Sequence, residues 1–190
     1  LYAGLLCLGL VVGSFLNVVI YRLPLMMESR WRRECCELLE VAQEKLEAPL
    51  NLATPNSHCP VCKTAIKPWQ NVPVLSYLLL RGKCGNCATP ISPRYPVLEL
   101  VTGLMTLALA WLFDLSPAML GAALLTWALI ALTMIDIDHQ LLPDDITLPL
   151  LWLGLLFNLD ATYVSLVDAV IGAMVGYLVL WSIYHVFKLL

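Results

Sequence analysis

Charge is scarce in this sequence, and where it is missing is informative. Only 13% of the 190 residues are Asp, Glu, Lys or Arg, about half the share of an ordinary soluble domain. No Glu follows Glu99 and no Asp precedes Asp114. Beyond Arg94 the single basic side chain is Lys188. Apolar residues make up 60% of the chain and the mean hydropathy is +0.81. These absences exclude an ordinary soluble domain and predict an integral membrane protein. The opening apolar run has no basic start and no small-x-small cleavage site, and it ends in Arg22-Leu23-Pro24. It reads as a retained membrane helix rather than a signal peptide. Because the sequence opens on Leu1-Tyr2 and not on Met, at least one residue is expected to have been trimmed.

Five apolar runs approach the length a bilayer requires. They are Leu1–Tyr21, Val97–Phe113, Pro117–Ile135, Ile146–Leu159 and Ser165–Phe187. The fourth is short and contains Pro149. The expected fold is therefore an all-α integral membrane protein of about five transmembrane helices with a small cytoplasmic zinc-binding domain. Its parts are a first helix over 1–21, a cytoplasmic region over 22–96, and a membrane-helical region over 97–190. Ten of the eleven basic residues lie between Arg22 and Arg94. Positive charge flanking membrane spans stays cytoplasmic. That rule puts Arg22–Arg94 inside, Asp114 outside, the Asp136–Asp145 turn inside, Asp160 outside and Lys188 inside. Within the loop, Trp31, Cys35, Leu38, Ala42 and Leu46 recur at helical spacing, which predicts an amphipathic helix over Ser29–Ala48.

Cysteine carries the most specific pattern. Cys59-Pro-Val-Cys62 and Cys84-Gly-Asn-Cys87 are two CxxC pairs separated by 21 residues. The flanks repeat too: Ile66 and Pro68 follow Cys62 at the same offsets as Ile91 and Pro93 follow Cys87. Two such knuckles supply four thiolates, enough to close a tetrahedron around Zn2+ with no position left for substrate. Two disulfides or a redox motif are the alternatives. A cytosolic setting disfavours the first, and no βαβ pattern supports the second. His58, beside the first cysteine, reads as a loop residue.

At the end of the third run stands Met134-Ile-Asp-Ile-Asp-His-Gln-Leu-Leu-Pro-Asp-Asp145. Pro143 suits the start of a helix. Asp144 and Asp145 then fall in its first turn, where carboxylates are favoured by free N–H groups. Asp138 suits a polar turn. Asp136 follows directly on apolar residues at the membrane boundary, where ionisable groups are costly and commonly functional. Residues two apart on a helix point to nearly opposite sides, so Asp136 and Asp138 are poor partners for sharing a proton. An acid-protease dyad would need its second carboxylate from another helix.

Taken together these residues resemble the bacterial type IV prepilin peptidases, bifunctional membrane enzymes that cleave a prepilin leader and N-methylate the new terminus. The resemblance rests on Gly13-Ser-Phe-Leu-Asn-Val-Val-Ile-Tyr-Arg-Leu-Pro24, on the paired knuckles with Ile91-Ser-Pro-Arg-Tyr-Pro96 and Glu99, and on Asp136-Ile-Asp-His-Gln-Leu-Leu-Pro-Asp144. It implies that Asp136 is the first catalytic aspartate, with Asp138 and Asp144 in support. It implies a structural Zn2+ on Cys59, Cys62, Cys84 and Cys87, and S-adenosyl-L-methionine as methyl donor. The implied partners are prepilins or pseudopilins with a basic leader and a hydrophobic helix, and the lipid bilayer of the inner membrane; no nucleic acid is expected. The family's second aspartate lies in a Gly-x-Gly-Asp motif, which these 190 residues lack. Either the chain is a fragment or it cannot run the peptidase reaction alone.

No glycine-rich dinucleotide fingerprint is present. Gly9-x-x-x-Gly13 is expected to be a helix-packing surface. Asn17 and Arg22 are candidates on the methyl-transfer side, the alternative for Arg22 being an interface anchor that snorkels to water. Two other functions compete. A membrane transferase would hold Mg2+ with Asp136, Asp138 and Asp144, but gives no reason for the cysteine repeat. A zinc-bearing membrane adaptor would need no catalytic aspartate at all.

Overall fold

The computed structural model describes residues 1–41 and 51–189. It is built of helices: α1 (Tyr2–Leu38), a short 3-10 turn (Pro68–Asn71), α2 (Leu75–Leu79), α3 (Arg94–Phe113), α4 (Pro117–His139), α5 (Asp144–Phe157) and α6 (Leu166–Leu189). Among the described residues there is no extended sheet, only two isolated bridges.

Four helices, α1, α3, α4 and α6, are long and apolar enough to cross a membrane. The sequence predicts five. The difference is α5, whose 14 residues reach about 21 Å at 1.5 Å per residue, short of the ~30 Å hydrocarbon core. Two other boundaries move. The first helix does not stop at Tyr21 but runs on through Pro24 to Leu38. Ser29–Leu38 is thus the continuation of α1 and not a separate amphipathic helix; Ala42 and Leu46 of that expectation lie outside the described residues. At the other boundary α4 extends past Ile135 to His139. That extension takes Asp136 and Asp138 into the helix and shortens the connecting loop to residues 140–143.

The core is a three-helix bundle of α1, α3 and α4. Leu16, Val19, Ile20, Leu23 and Met27 of α1 pack with Leu98 of α3 and with Ala131 and Ile135 of α4. The buried positions of α1 include 9, 13, 16, 20, 23 and 27. That alternation of four and three is a coiled-coil seam. At its start glycines let the backbones close up: a Cβ on Gly13 would lie 2.7 Å from the Glu99 Cα, and one on Gly9 2.8 Å from the Gly103 Cα. The expectation of a small-residue packing surface is met. Polar atoms in this seam are satisfied locally. The Thr102 and Thr106 hydroxyls donate to the carbonyls four residues back, and Trp127 Nε1 donates to Thr106 Oγ1 at 3.0 Å.

Helix ends follow capping rules. Ser116 accepts from Met119 N–H ahead of Pro117, and Gln140 closes α4 in a left-handed conformation with its N–H on Asp136 O. Ser165 Oγ caps α6 by accepting the Asp168 N–H, and its hydroxyl donates to the Asp168 carboxylate. Asn158 closes α5, with its Oδ1 accepting from Tyr163 and Val164 N–H. Helix α5 packs on α4, and α6 packs on α5. Neither contributes a buried residue, as fits side chains facing lipid.

Candidate functional site

The cysteine half of the site is an internal repeat with a 25-residue offset. In each knuckle a cysteine N–H donates to a threonine carbonyl (Cys59 to Thr64, Cys84 to Thr89). An isoleucine N–H then closes the turn (Ile66 to Ser57 O, Ile91 to Gly82 O). The residue after each second cysteine, Lys63 and Ala88, has positive φ, which turns the chain back so that both cysteines face one point. The sequence shows the isoleucine and proline repeats. The threonines at +2 are the part sequence reasoning missed: their hydroxyls lie 3.4 Å from Cys62 Sγ and 3.1 Å from Cys87 Sγ. Asn86 crosses between the knuckles to donate to Thr64 Oγ1.

The four sulfurs converge. Cys59 Sγ lies 3.7 Å from Cys87 Sγ, and Cys62 Sγ lies 4.0 Å from Cys84 Sγ. All four are within 4.8 Å of one another, a group that can hold one metal ion. The electrostatics prepare two of the four as ligands. The Thr64 hydroxyl and N–H, with Asn86, hold the Cys62 thiol down to about 5. The N–H groups of Cys87 and Asn86 lower the Cys84 thiol. Thiolates are the binding form. His58 is exposed and sits against Asn56 O, outside the group.

The aspartate half lies at the same end of the bundle. Arg94, where the cysteine region enters α3, donates twice to Asp138 at the end of α4, at 2.9 and 2.6 Å. Arg30 of α1 pairs with Asp145 at the start of α5 at 3.4 Å. Asp138 thus faces α3. Asp136, about 200° away around the helix, turns from Arg94 and is exposed. Asp144 and Asp145 open α5 in its first turn, as the sequence predicts; Thr147 Oγ1 donates to Asp144. The bidentate arginine occupies both Asp138 oxygens, which disfavours a three-aspartate Mg2+ site.

Two charged residues are buried and paired with backbone groups. Arg22 is buried and does not snorkel. It donates to the carbonyls of Asn51, Leu52 and Pro55, pinning that loop to α1. Glu99 is buried on α3 and accepts the Val74 N–H at 2.7 Å, tying the segment between the knuckles to the bundle. Asn17 donates to Tyr95 O.

Residues 7–113 match the bacterial peptidase A24 N-terminal domain, and residues 123–189 match the type IV leader peptidase family. The chain is 53% identical over 184 residues to a prepilin leader peptidase/N-methyltransferase of Stutzerimonas stutzeri, covering 97% of this chain and 64% of the relative. It is 52% identical to the enzyme of that name from Pseudomonas aeruginosa, over 96% of this chain and 63% of the relative. With the Aeromonas hydrophila relative it shares 54% identity, over 100% of this chain and 66% of that protein. The chain therefore spans slightly less than two thirds of their length. No solved structure matches.

Proposed function

This chain belongs to the bacterial A24, type IV leader peptidase family, and from that premise we propose that it works as a membrane aspartyl endopeptidase on type IV prepilins and pseudopilins. In this reading the same enzyme methylates the new N-terminus. Asp136 is the first catalytic aspartate, supported by Asp138 and Asp144. One carboxylate of a dyad takes a proton from water as the water attacks the scissile carbonyl; the other gives its proton to the carbonyl oxygen. Asp136 supplies one of the two. No Gly-x-Gly-Asp motif for the other occurs in these 190 residues.

The observation that carries the reading is the meeting of the two family segments at one end of the bundle. The Arg94–Asp138 pair joins the start of α3, within the first, to the aspartate motif of the second. It leaves Asp136 exposed on the far side of α4. We read that end as cytoplasmic in an inner membrane, because the basic residues collect there. The soluble region over 22–96 and the membrane region over 97–190 then divide the work between support and chemistry. A substrate with a basic leader before its hydrophobic helix would hold its scissile bond near Asp136. Asp136 and Asp144 supply the negative field for that leader, since Asp138 and Asp145 are already paired with arginines.

The four cysteines are read as a structural Zn2+ site. A tetrahedron of sulfurs at about 2.3 Å from zinc has edges of about 3.8 Å; the 3.7 and 4.0 Å pairs fit it. With four protein ligands the ion has no open position for substrate. S-adenosyl-L-methionine would supply the methyl group, and Asn17 lies on the α1 signature beside the start of α3. The test is leader cleavage by the complete protein in membranes. Asp136→Asn is expected to abolish it, with added Mg2+ having no effect. Undiminished cleavage by Asp136→Asn, or a requirement for Mg2+, would sink the reading.

A further inference from the structure

The segment between the two cysteine pairs breaks the usual pattern of a water-exposed loop. From Pro68 to Leu80 it carries no charge, and Lys67 and Arg81 bracket it. Most of its large apolar side chains point outward. Trp69, Val72 and Leu75 are exposed, as are Leu78 at 64% and Leu79 at 76%. On the single turn of α2, Leu75, Leu78 and Leu79 stand at i, i+3 and i+4 and share one face. Tyr77 turns the other way, its ring lying against Gly82. Helix α2 therefore tucks its tyrosine into the cysteine region and offers leucines outward.

The depth of this segment is fixed by Glu99. The buried carboxylate accepts the Val74 N–H at 2.7 Å. Glu99 lies five residues beyond Arg94 on α3, about 7.5 Å along the helix axis, while Arg94 and Asp138 form the charged rim. Val74 itself is held at φ 59, ψ −48, with the Leu75 N–H bonded to Pro73 O. This is a γ-turn with positive φ, unusual for a β-branched residue. The chain thus leaves Lys67, dips below the rim beside the apolar stretch of α3, and returns to water at Arg81.

We propose that Pro68–Leu80 is an interfacial membrane anchor. The leucine face of α2, with Trp69 and Val72, sits at the boundary of headgroups and acyl chains of the bilayer that the long helices cross. Lys67, Arg81 and Lys83 reach the anionic headgroups. The depth set by Glu99 matches the 5–10 Å at which interfacial helices ride, and tryptophan favours that level. The cysteine region is then held to the membrane twice, through the helices and through this dip.

The experiment is photolabelling of the metal-loaded protein in bilayers whose phospholipids carry a diazirine in the acyl chain, followed by peptide mapping. Adducts are expected on the 68–80 peptide and on α3, and not on Cys59–Thr64. Changing Leu75, Leu78 and Leu79 to Asp should remove the 68–80 adducts while α3 labelling and metal content stay. Where the triple change releases the metal, Leu78→Asp alone serves, with the same loss expected. A 68–80 peptide free of adducts while α3 is labelled overturns the proposal, whether another protein segment or water covers the face.

Discussion

The cysteine region and the α1–α3–α4 bundle are stable for different reasons. The bundle buries leucines, isoleucines and small residues along a continuous seam. Between Asn51 and Pro93 the only buried residue among those described is Cys59, itself a metal-ligand candidate. One region is held by packing. The other has two tight knuckles and no apolar core, so its order depends on whatever joins the four sulfurs. A small region without a core needs a metal or a disulfide, and here the cysteines are free, with the Cys59–Cys87 and Cys62–Cys84 sulfurs 3.7 and 4.0 Å apart.

The sharpest way to break this contrast is to remove the Zn2+ proposed for the four cysteines. Cys59→Ser with Cys84→Ser, or a chelator, should unfold the cysteine region while the bundle keeps its helix signal. Structural zinc is worth on the order of 10 kcal/mol to such a region, so the effect should be all or none. Metal analysis and proteolysis across 51–93 give the readout; a protease-resistant region without metal would refute the distinction. A smaller effect is expected from the packed side. Gly13→Leu must push the α3 backbone away at Glu99, costing roughly 1–3 kcal/mol. Thermal unfolding in detergent should show it with metal content unchanged. The smallest effect concerns the joint between the regions. The Arg94–Asp138 pair is partly exposed, so Arg94→Asp and Asp138→Arg should each cost little. Their combination should recover about 0.5–1 kcal/mol of coupling. Zero coupling in the double-mutant cycle would mean the pair does not join the regions.

Much of the site was legible because its signals are local. CxxC spacing fixes which four sulfurs can meet, and the repeated isoleucines announce two equal turns. Pro143 before Asp144-Asp145 predicts a helix start from two residues alone. The seam of α1 was equally present in the sequence, at 9, 13, 16, 20, 23 and 27, but an apolar run of this kind hides it. Every face of a membrane helix is hydrophobic, so hydrophobicity no longer separates the packed side from the lipid side; small residues do. The end of α4 lies a turn beyond Ile135 for a different reason. The charged residues after Ile135 read as a loop, while the helix continues because Asp138 finds Arg94.

By itself the sequence determined the membrane class, helices α3 to α6 within a few residues, the four-cysteine group and the aspartate motif, but not the run of α1 on to Leu38. Composition, periodicity and spacing carry each of these without reference to distant residues. Only the tertiary structure decided what the isolated charges do. It turned Asp138 toward Arg94 and Asp136 away, spent Arg22 on loop carbonyls instead of water, and buried Glu99 against the Val74 N–H. The physical reason is that a charge near a membrane has to find a partner, and partners 25 to 44 residues away come into reach only when the helices have packed.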